Sequence, residues 1–153
     1  MKRISALNID SPIGRLGLCA RDGHLVRIVF GGTDETEEKD AVLYEANKQL
    51  TEYFEEKRHS FDVPLMPEGT PFQKKVWEAL TRIPYGETRS YAEIAGEVGS
   101  PKGFRAVGMA NHVNPIPIII PCHRVVGKSG KLVGYAGGLD IKTFLIELEK
   151  NNK

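Results

Sequence analysis

The sequence predicts an α/β protein of the α+β kind. A small antiparallel sheet with one helix occupies residues 1–69, and a mostly helical part over 70–153 carries a helix-turn-helix of winged-helix-like form. Three observations carry this reading. Short β-type runs and turn signals crowd the first 30 residues. A stretch over 57–69 with Pro64, Pro67 and Gly69 reads as an extended connection. Beyond it, two capping boxes open short helices.

In order, Ile4, Ala6 and Leu7, then Leu16-Gly17-Leu18, then residues 25–30 are β-type runs, punctuated by Asp10-Ser11-Pro12 and the hairpin signal Asp22-Gly23. The acidic stretch 33–40 is expected to open a helix, continued by Ala41, Val42, Ala46, Leu50, Tyr53 and Phe54 at helical spacing. In the second part, Thr70 is an N-cap, Pro71 takes the first helical position and Gln73 completes a capping box. Phe72, Val76, Ala79, Leu80 and Ile83 then share a face, and Pro84-Tyr85-Gly86 ends the helix. Ser90 with Glu93 forms the second box, and Gly99 closes that helix. Ser100-Pro101 is expected to start a third helix over 100–110, giving a helix pair of helix-turn-helix form.

Length and composition bound the function. At 153 residues and 17.0 kDa the chain suits one domain or two small ones sharing a core. Its 41% hydrophobic and 27% charged residues argue against disorder. Apolar runs such as Ile118-Ile119-Ile120 are far too short to span a bilayer. Met1-Lys2-Arg3 leads into an alternating segment and not into a signal-peptide core. Two cysteines make no secreted disulfide framework, so a reducing compartment is expected: cytoplasm, or nucleus in a eukaryote. The net charge of +1 conceals an asymmetry. Residues 1–69 hold 9 basic and 13 acidic residues (−4), and residues 70–153 hold 12 and 7 (+5). A polyanionic partner for the second part is one reading; a solvated lysine-rich surface is the other.

The third helix is rich in small residues: Gly103, Ala106, Gly108 and Ala110. Interior glycine costs about 1 kcal/mol relative to alanine, so something must approach closely. A neighbouring helix in the core and a nucleic-acid groove, with Arg105 projecting, both satisfy that requirement.

The chemistry concentrates between Asn114 and Arg124. Three prolines, Pro115, Pro117 and Pro121, forbid a helix. A buried, extended, strand-like segment is expected to deliver Cys122 to its end, with His123 and Arg124 following. A free buried cysteine is commonly a small hydrophobe, and that account fits Cys19. Beside an imidazole and a guanidinium, Cys122 is expected to favour the thiolate, the nucleophilic form. The two side chains cooperate only if the chain turns there. In the last helix, capped by Asp140, Glu149 falls inside the apolar arc at about 100° per residue. It could orient His123 or form a structural ion pair with Lys142.

Pro121-Cys122-His123-Arg124-Val125, with Arg105-Ala106-Val107-Gly108, Asn114-Pro115 and residues 134–139 (Gly-Tyr-Ala-Gly-Gly-Leu), closely resembles the O6-alkylguanine-DNA alkyltransferases. The match runs over about 70–150, with a looser one in residues 10–14. The resemblance implies direct, irreversible, single-turnover transfer of an alkyl group from O6-alkylguanine to Cys122. It implies that His123 activates the thiol through a water molecule and that Glu149 orients the imidazole. It further implies that Asn114 holds the turn between the DNA-binding helix and the active-site segment, that Tyr91 donates a proton to the departing guanine, and that Arg105 fills the stack behind the flipped nucleotide. Ala106, Gly108, Arg124 and Val125 belong to the DNA and substrate contacts, and Tyr135 and Ala136 to the guanine pocket. The implied partner is double-stranded DNA carrying O6-alkylguanine, bound through the minor groove by a monomer, with no membrane partner. No cofactor is expected. Some family members hold zinc in the first part, but Cys19, His24 and His59 fall short of a closed four-ligand site, so no metal is expected. The rival readings are an inactive lesion sensor or winged-helix-like regulator, and a Cys-His hydrolase.

Overall fold

The computed structural model describes residues 4–153; the Met1-Lys2-Arg3 lead-in lies outside them. The chain divides into two compact units, Met1–Glu68 and Gly69–Lys153.

In the first unit, β1 (Ser5–Ile9), β2 (Leu16–Arg21) and β3 (His24–Phe30) form an antiparallel sheet in that order. Asp22-Gly23 makes the tight hairpin with both residues at positive φ. β2 is central and buried on both faces. Leu16, Leu18 and Ala20 alternate with Cys19, which packs with Ala6 and Val26 and touches Ile4 and Met66. α1 (Ala41–Phe54) packs on the sheet through Val42, Leu43, Ala46, Leu50 and Tyr53. Residues 33–40 are not helical, contrary to expectation. Glu37 bridges to Ala6 and its carboxylate accepts the Asn8 N–H at 3.0 Å, while Asp40 caps α1 by accepting the Val42 N–H. The acidic run therefore serves the sheet edge and the cap, and the helix begins only after it.

In the second unit, α2 (Pro71–Thr81) and α3 (Tyr91–Glu97) start at the two capping boxes, both formed as expected. α4 (Phe104–His112) packs against both. It begins later than the sequence suggested, because Gly103 N–H donates to Ser100 O and residues 100–103 make a single turn. Trp77 of α2 donates its indole N–H to Ala110 O at 2.8 Å, tying α2 to the last turn of α4. β4 (Arg89–Ser90) pairs in parallel with β5 (Val125–Val126). That short pairing sets the start of α3 beside the end of the Cys122–Arg124 turn. α5 (Leu139–Asn151) closes the unit. Its N-cap position is Gly138, at φ 97°, and Asp140 lies inside the first turn, so Asp140 is not the cap.

The segment leading to Cys122 is buried but is not a strand. Ile116, Ile118, Ile119 and Ile120 are in the core, yet the prolines remove the donors a ladder needs. Local turns replace it: Ile119 N–H donates to Pro117 O, Ile120 N–H to Ile116 O and Cys122 N–H to Ile120 O.

Trp77→Phe should destabilise the second unit by about 1–3 kcal/mol, because Ala110 O loses its buried donor. Urea unfolding followed by circular dichroism measures this, and an unchanged midpoint would show that the indole bond carries no weight.

Candidate active site

Cys122–Arg124 form one turn of 3-10 helix, so the chain turns where cooperation of Cys122 and His123 requires it. Asn114 fixes the approach. Its Oδ1 accepts the Ile116 N–H at 3.0 Å and its Nδ2 donates to Ile120 O at 2.8 Å, clamping the loop at both ends.

α5 supports the turn from behind. Lys142, Leu145 and Glu149 form one buried stripe. The Glu149 carboxylate accepts from His123 Nε2 at 2.6 Å, Arg124 Nε at 2.8 Å, Arg124 Nη2 at 3.0 Å and the Gly86 N–H at 3.2 Å. Gly86 presents that N–H from a positive φ of 80° at the turn after α2. Lys142 is not the partner of Glu149. Seven residues of helix separate them by about 10 Å, and the ammonium donates to Val125 O at 2.7 Å and Val133 O at 2.9 Å.

Arg124 and Val125, expected among DNA and substrate contacts, are interior residues. Arg124 makes the bidentate pair with Glu149, donates Nη1 to Ile83 O at 2.7 Å and lies over the Tyr85 ring. Val125 is fully buried in β5. The motif made them look like surface recognition residues, but two carboxylate bonds and a backbone bond hold the guanidinium inside.

The electrostatics follow. Burial alone would raise the Glu149 carboxyl, but the hydrogen bonds and charges of His123 and Arg124 outweigh it and hold it well below the usual carboxylate range. Burial pushes His123 down, and Glu149 restores only part of the loss. His123 is thus neutral, with its proton on Nε2 facing Glu149; its buried Nδ1 has no hydrogen-bond partner among the described residues and is the available acceptor. Burial also pushes the Cys122 thiol up. Hydrogen bonds from Asn114 and Tyr135 and the charge of Lys142 offset this only in part. The expected resting thiolate is therefore replaced by a buried thiol. The reason is desolvation, together with the commitment of Arg124 to Glu149. Burial lowers Lys142 to about 8.

Beside this turn lies a cavity of about 300 Å³ lined by Tyr91, Gly108, Asn111, His112 and residues 133–136. Tyr135 and Asn111 join it to Cys122: the first is hydrogen-bonded to the thiol, and the second donates Nδ2 to Cys122 O at 3.3 Å. Tyr91, raised by burial, is hydrogen-bonded to Asn111. Arg105 and Ala106 are exposed on α4, and Ala136 is exposed at the cavity. Gly108 has open space where a Cβ would stand. Asn111 escaped the sequence reading, although a polar amide on the buried α4 stripe with Val107 and Ala110 was the signal that could have found it. Among the described residues no cluster of three or more His, Cys, Asp or Glu could hold a metal.

Residues 71–151 match the sequence model of the 6-O-methylguanine DNA methyltransferase DNA binding domain, and residues 7–67 that of its ribonuclease-like domain. The chain belongs to the 6-O-methylguanine DNA methyltransferase family. The methylated-DNA–protein-cysteine methyltransferase of Methanosarcina mazei is 59% identical, over 94% of this chain and 96% of that one. The constitutive enzyme of that name from Bacillus subtilis is 47% identical over 92% of each. The crystal structure of the Mycobacterium tuberculosis O6-methylguanine methyltransferase superposes with a TM-score of 0.90 at 46% identity, covering 99% of this chain and 95% of that one. The structure of that organism's protein in complex with DNA gives 0.85 at 48% identity, over 95% and 92%.

Within this family member, Glu149→Gln should cost the second unit about 3–5 kcal/mol at pH 7, because Arg124 loses its buried counter-charge. A depressed carboxylate contributes stability that is present above the usual carboxylate range and lost as pH falls through it. The difference between wild type and Glu149→Gln should therefore shrink below about pH 4.5. Urea titrations read by Trp77, the single tryptophan, test this; a gap of constant size would refute the charged pair.

Proposed function

We propose that this protein repairs DNA by moving the alkyl group of an O6-alkylguanine onto the sulfur of Cys122, once per molecule. The observation that carries this is a buried thiol beside a neutral imidazole with a free acceptor nitrogen, its other nitrogen anchored on Glu149, next to a cavity bounded by two tyrosines. The comparisons add the chemistry of the relatives, which act on methylated DNA and carry the product on cysteine.

The step balances as follows. The thiol proton passes toward His123 Nδ1 through water as the sulfur–carbon bond forms and the carbon–O6 bond breaks. The electron pair of that bond goes to the guanine, which takes a proton from Tyr91 and leaves as the normal base; the imidazolium and the phenolate are then neutralised by net transfer of the thiol proton. The thioether has no leaving group, so the site is used up. Lys142 and Tyr135 steady the sulfur while charge passes through it.

Residues 70–153 form the DNA-binding and alkyl-transfer domain, and residues 1–69 the N-terminal domain with its connecting segment. α3 and α4 act as a helix-turn-helix, with α4 in the minor groove. The +5 charge of residues 70–153 and the small exposed face of α4 support this. Because the reactive atom is buried, the guanine must leave the duplex stack and enter the cavity. Arg105, exposed on α4, fills the gap it leaves. The protein works as a monomer in the cytoplasm, where DNA and a reducing environment meet. Neither partner nor chemistry calls for a cofactor.

Intact-mass measurement after incubation with duplex DNA containing O6-methylguanine tests the reading. Wild type should gain one methyl group, and Cys122→Ala should gain none while still binding the DNA. Binding without mass gain in wild type would make the protein a lesion sensor instead.

Arg105→Ala should slow repair of duplex DNA at least about tenfold, since extrusion costs a few kcal/mol and about 1.4 kcal/mol is a factor of ten. Reaction with free O6-benzylguanine, which has no stack to leave, should hardly change. Equal losses on both substrates would assign Arg105 to the pocket.

A further inference from the structure

Asn111 is the one buried polar side chain at the cavity with no place in the chemistry above. It is 5% exposed and sits on the inner face of α4, where a hydrophobic residue would complete the stripe of Val107 and Ala110. Its amide reaches two groups that the reaction uses. One contact runs from Nδ2 to the carbonyl of Cys122. The other is with the hydroxyl of Tyr91, which lines the same cavity; since Oδ1 takes part in no hydrogen bond among the described residues, it is Nδ2 that donates. Its Oδ1 is buried and has no hydrogen-bond partner among the described residues. An amide held for packing alone would not leave an acceptor orphaned beside a cavity.

Resting on the function proposed above, we infer that Asn111 is a positioning residue that joins the proton donor Tyr91 to the nucleophile turn at Cys122 and stabilises Tyr91 as it gives up its proton. An oxygen that accepts the Asn111 N–H must point its own hydrogen elsewhere. The Tyr91 O–H is thereby turned from Asn111 and available to the departing guanine. When that proton leaves, negative charge appears on an oxygen already holding a donor, and a hydrogen bond to a charged group is stronger than one to a neutral group. The same side chain fixes the Cys122 carbonyl, so donor and nucleophile keep their separation when the cavity fills. The charged and titratable groups around Tyr91 are Cys122, which raises it, His112 and Tyr135 in the same cavity, and Lys128 in the adjoining pocket.

The test is a double-mutant cycle with O6-benzylguanine, following mass gain on Cys122. Asn111→Leu should slow the wild-type reaction about tenfold and change little in the Tyr91→Phe background, because Asn111 acts through the hydroxyl. Equal slowing in both backgrounds overturns the inference and leaves Asn111 as support for the Cys122 turn. Asn111→Ser guards against misfolding of the leucine variant. In it the tyrosinate absorbance assigned to Tyr91, by difference from Tyr91→Phe, should titrate at higher pH than in wild type. An unmoved titration also overturns the inference. That titration needs no substrate, so it stands apart from the function itself, which fails if wild type gains no mass on Cys122.

Discussion

The carboxylate of Glu149 is the point on which the second unit turns. Four N–H groups from three residues in two segments converge on its two oxygens: Gly86 in the turn after α2, and His123 and Arg124 in the turn that begins at the thiol. A buried carboxylate without these donors would be expelled or protonated. With them it stays ionised, and every group that satisfies it is fixed in turn. The Nε2 proton of His123 faces Glu149, so Nδ1 is the lone-pair nitrogen. Arg124 is locked inward, which brings Ile83 O and the Tyr85 ring against it. One helix thus places the turn, the tautomer and the counter-charge together.

Burial then shapes the reactivity. The same desolvation that raises Cys122 lowers His123, so both disfavour the thiolate–imidazolium pair at rest. A nucleophile that can react only once gains from this. A standing thiolate would be open to any passing electrophile, and each such event would remove a molecule from use. Here charge separation is favoured only when the negative charge can move onward, across the sulfur and into a bound guanine. Asn114, Tyr135 and Lys142 supply fixed donors and charge for that passage without reorganising.

Local signals in the sequence translated directly into structure where the determining contacts are local. Both capping boxes, the Asp22-Gly23 hairpin and the burial of Glu149 within the apolar arc follow from neighbours a few residues away. The errors fall where distant contacts decide. Residues 33–40 look like a helix start until the sheet edge claims Glu37. Residues 115–121 are the exception, since the prolines that remove the ladder donors are local and the segment closes on its own turns. Arg124 stands among the DNA contacts that the resemblance implies, and Glu149, 25 residues away, takes its guanidinium inside. Asn111 was overlooked for the same reason, since its partners Cys122 and Tyr91 become neighbours only through α3–α4 packing and the β4–β5 pair.

Gly108 is not small for the sake of packing against a neighbouring helix of the second unit. If a neighbouring helix required it, a Cβ built there would collide with that neighbour; it meets nothing within 4 Å. The glycine therefore weakens the helix by about 1 kcal/mol with no packing gain inside the chain. Gly103 differs, since a Cβ there would strike Ser100, and its smallness belongs to the turn. Val107, Ala110 and Asn111 account for the inner face of α4, so the space at Gly108 faces the cavity that Tyr91 and Tyr135 bound. An unpacked glycine at the cavity wall leaves the approach to Tyr91 and Tyr135 open, and a larger residue at that position would narrow it.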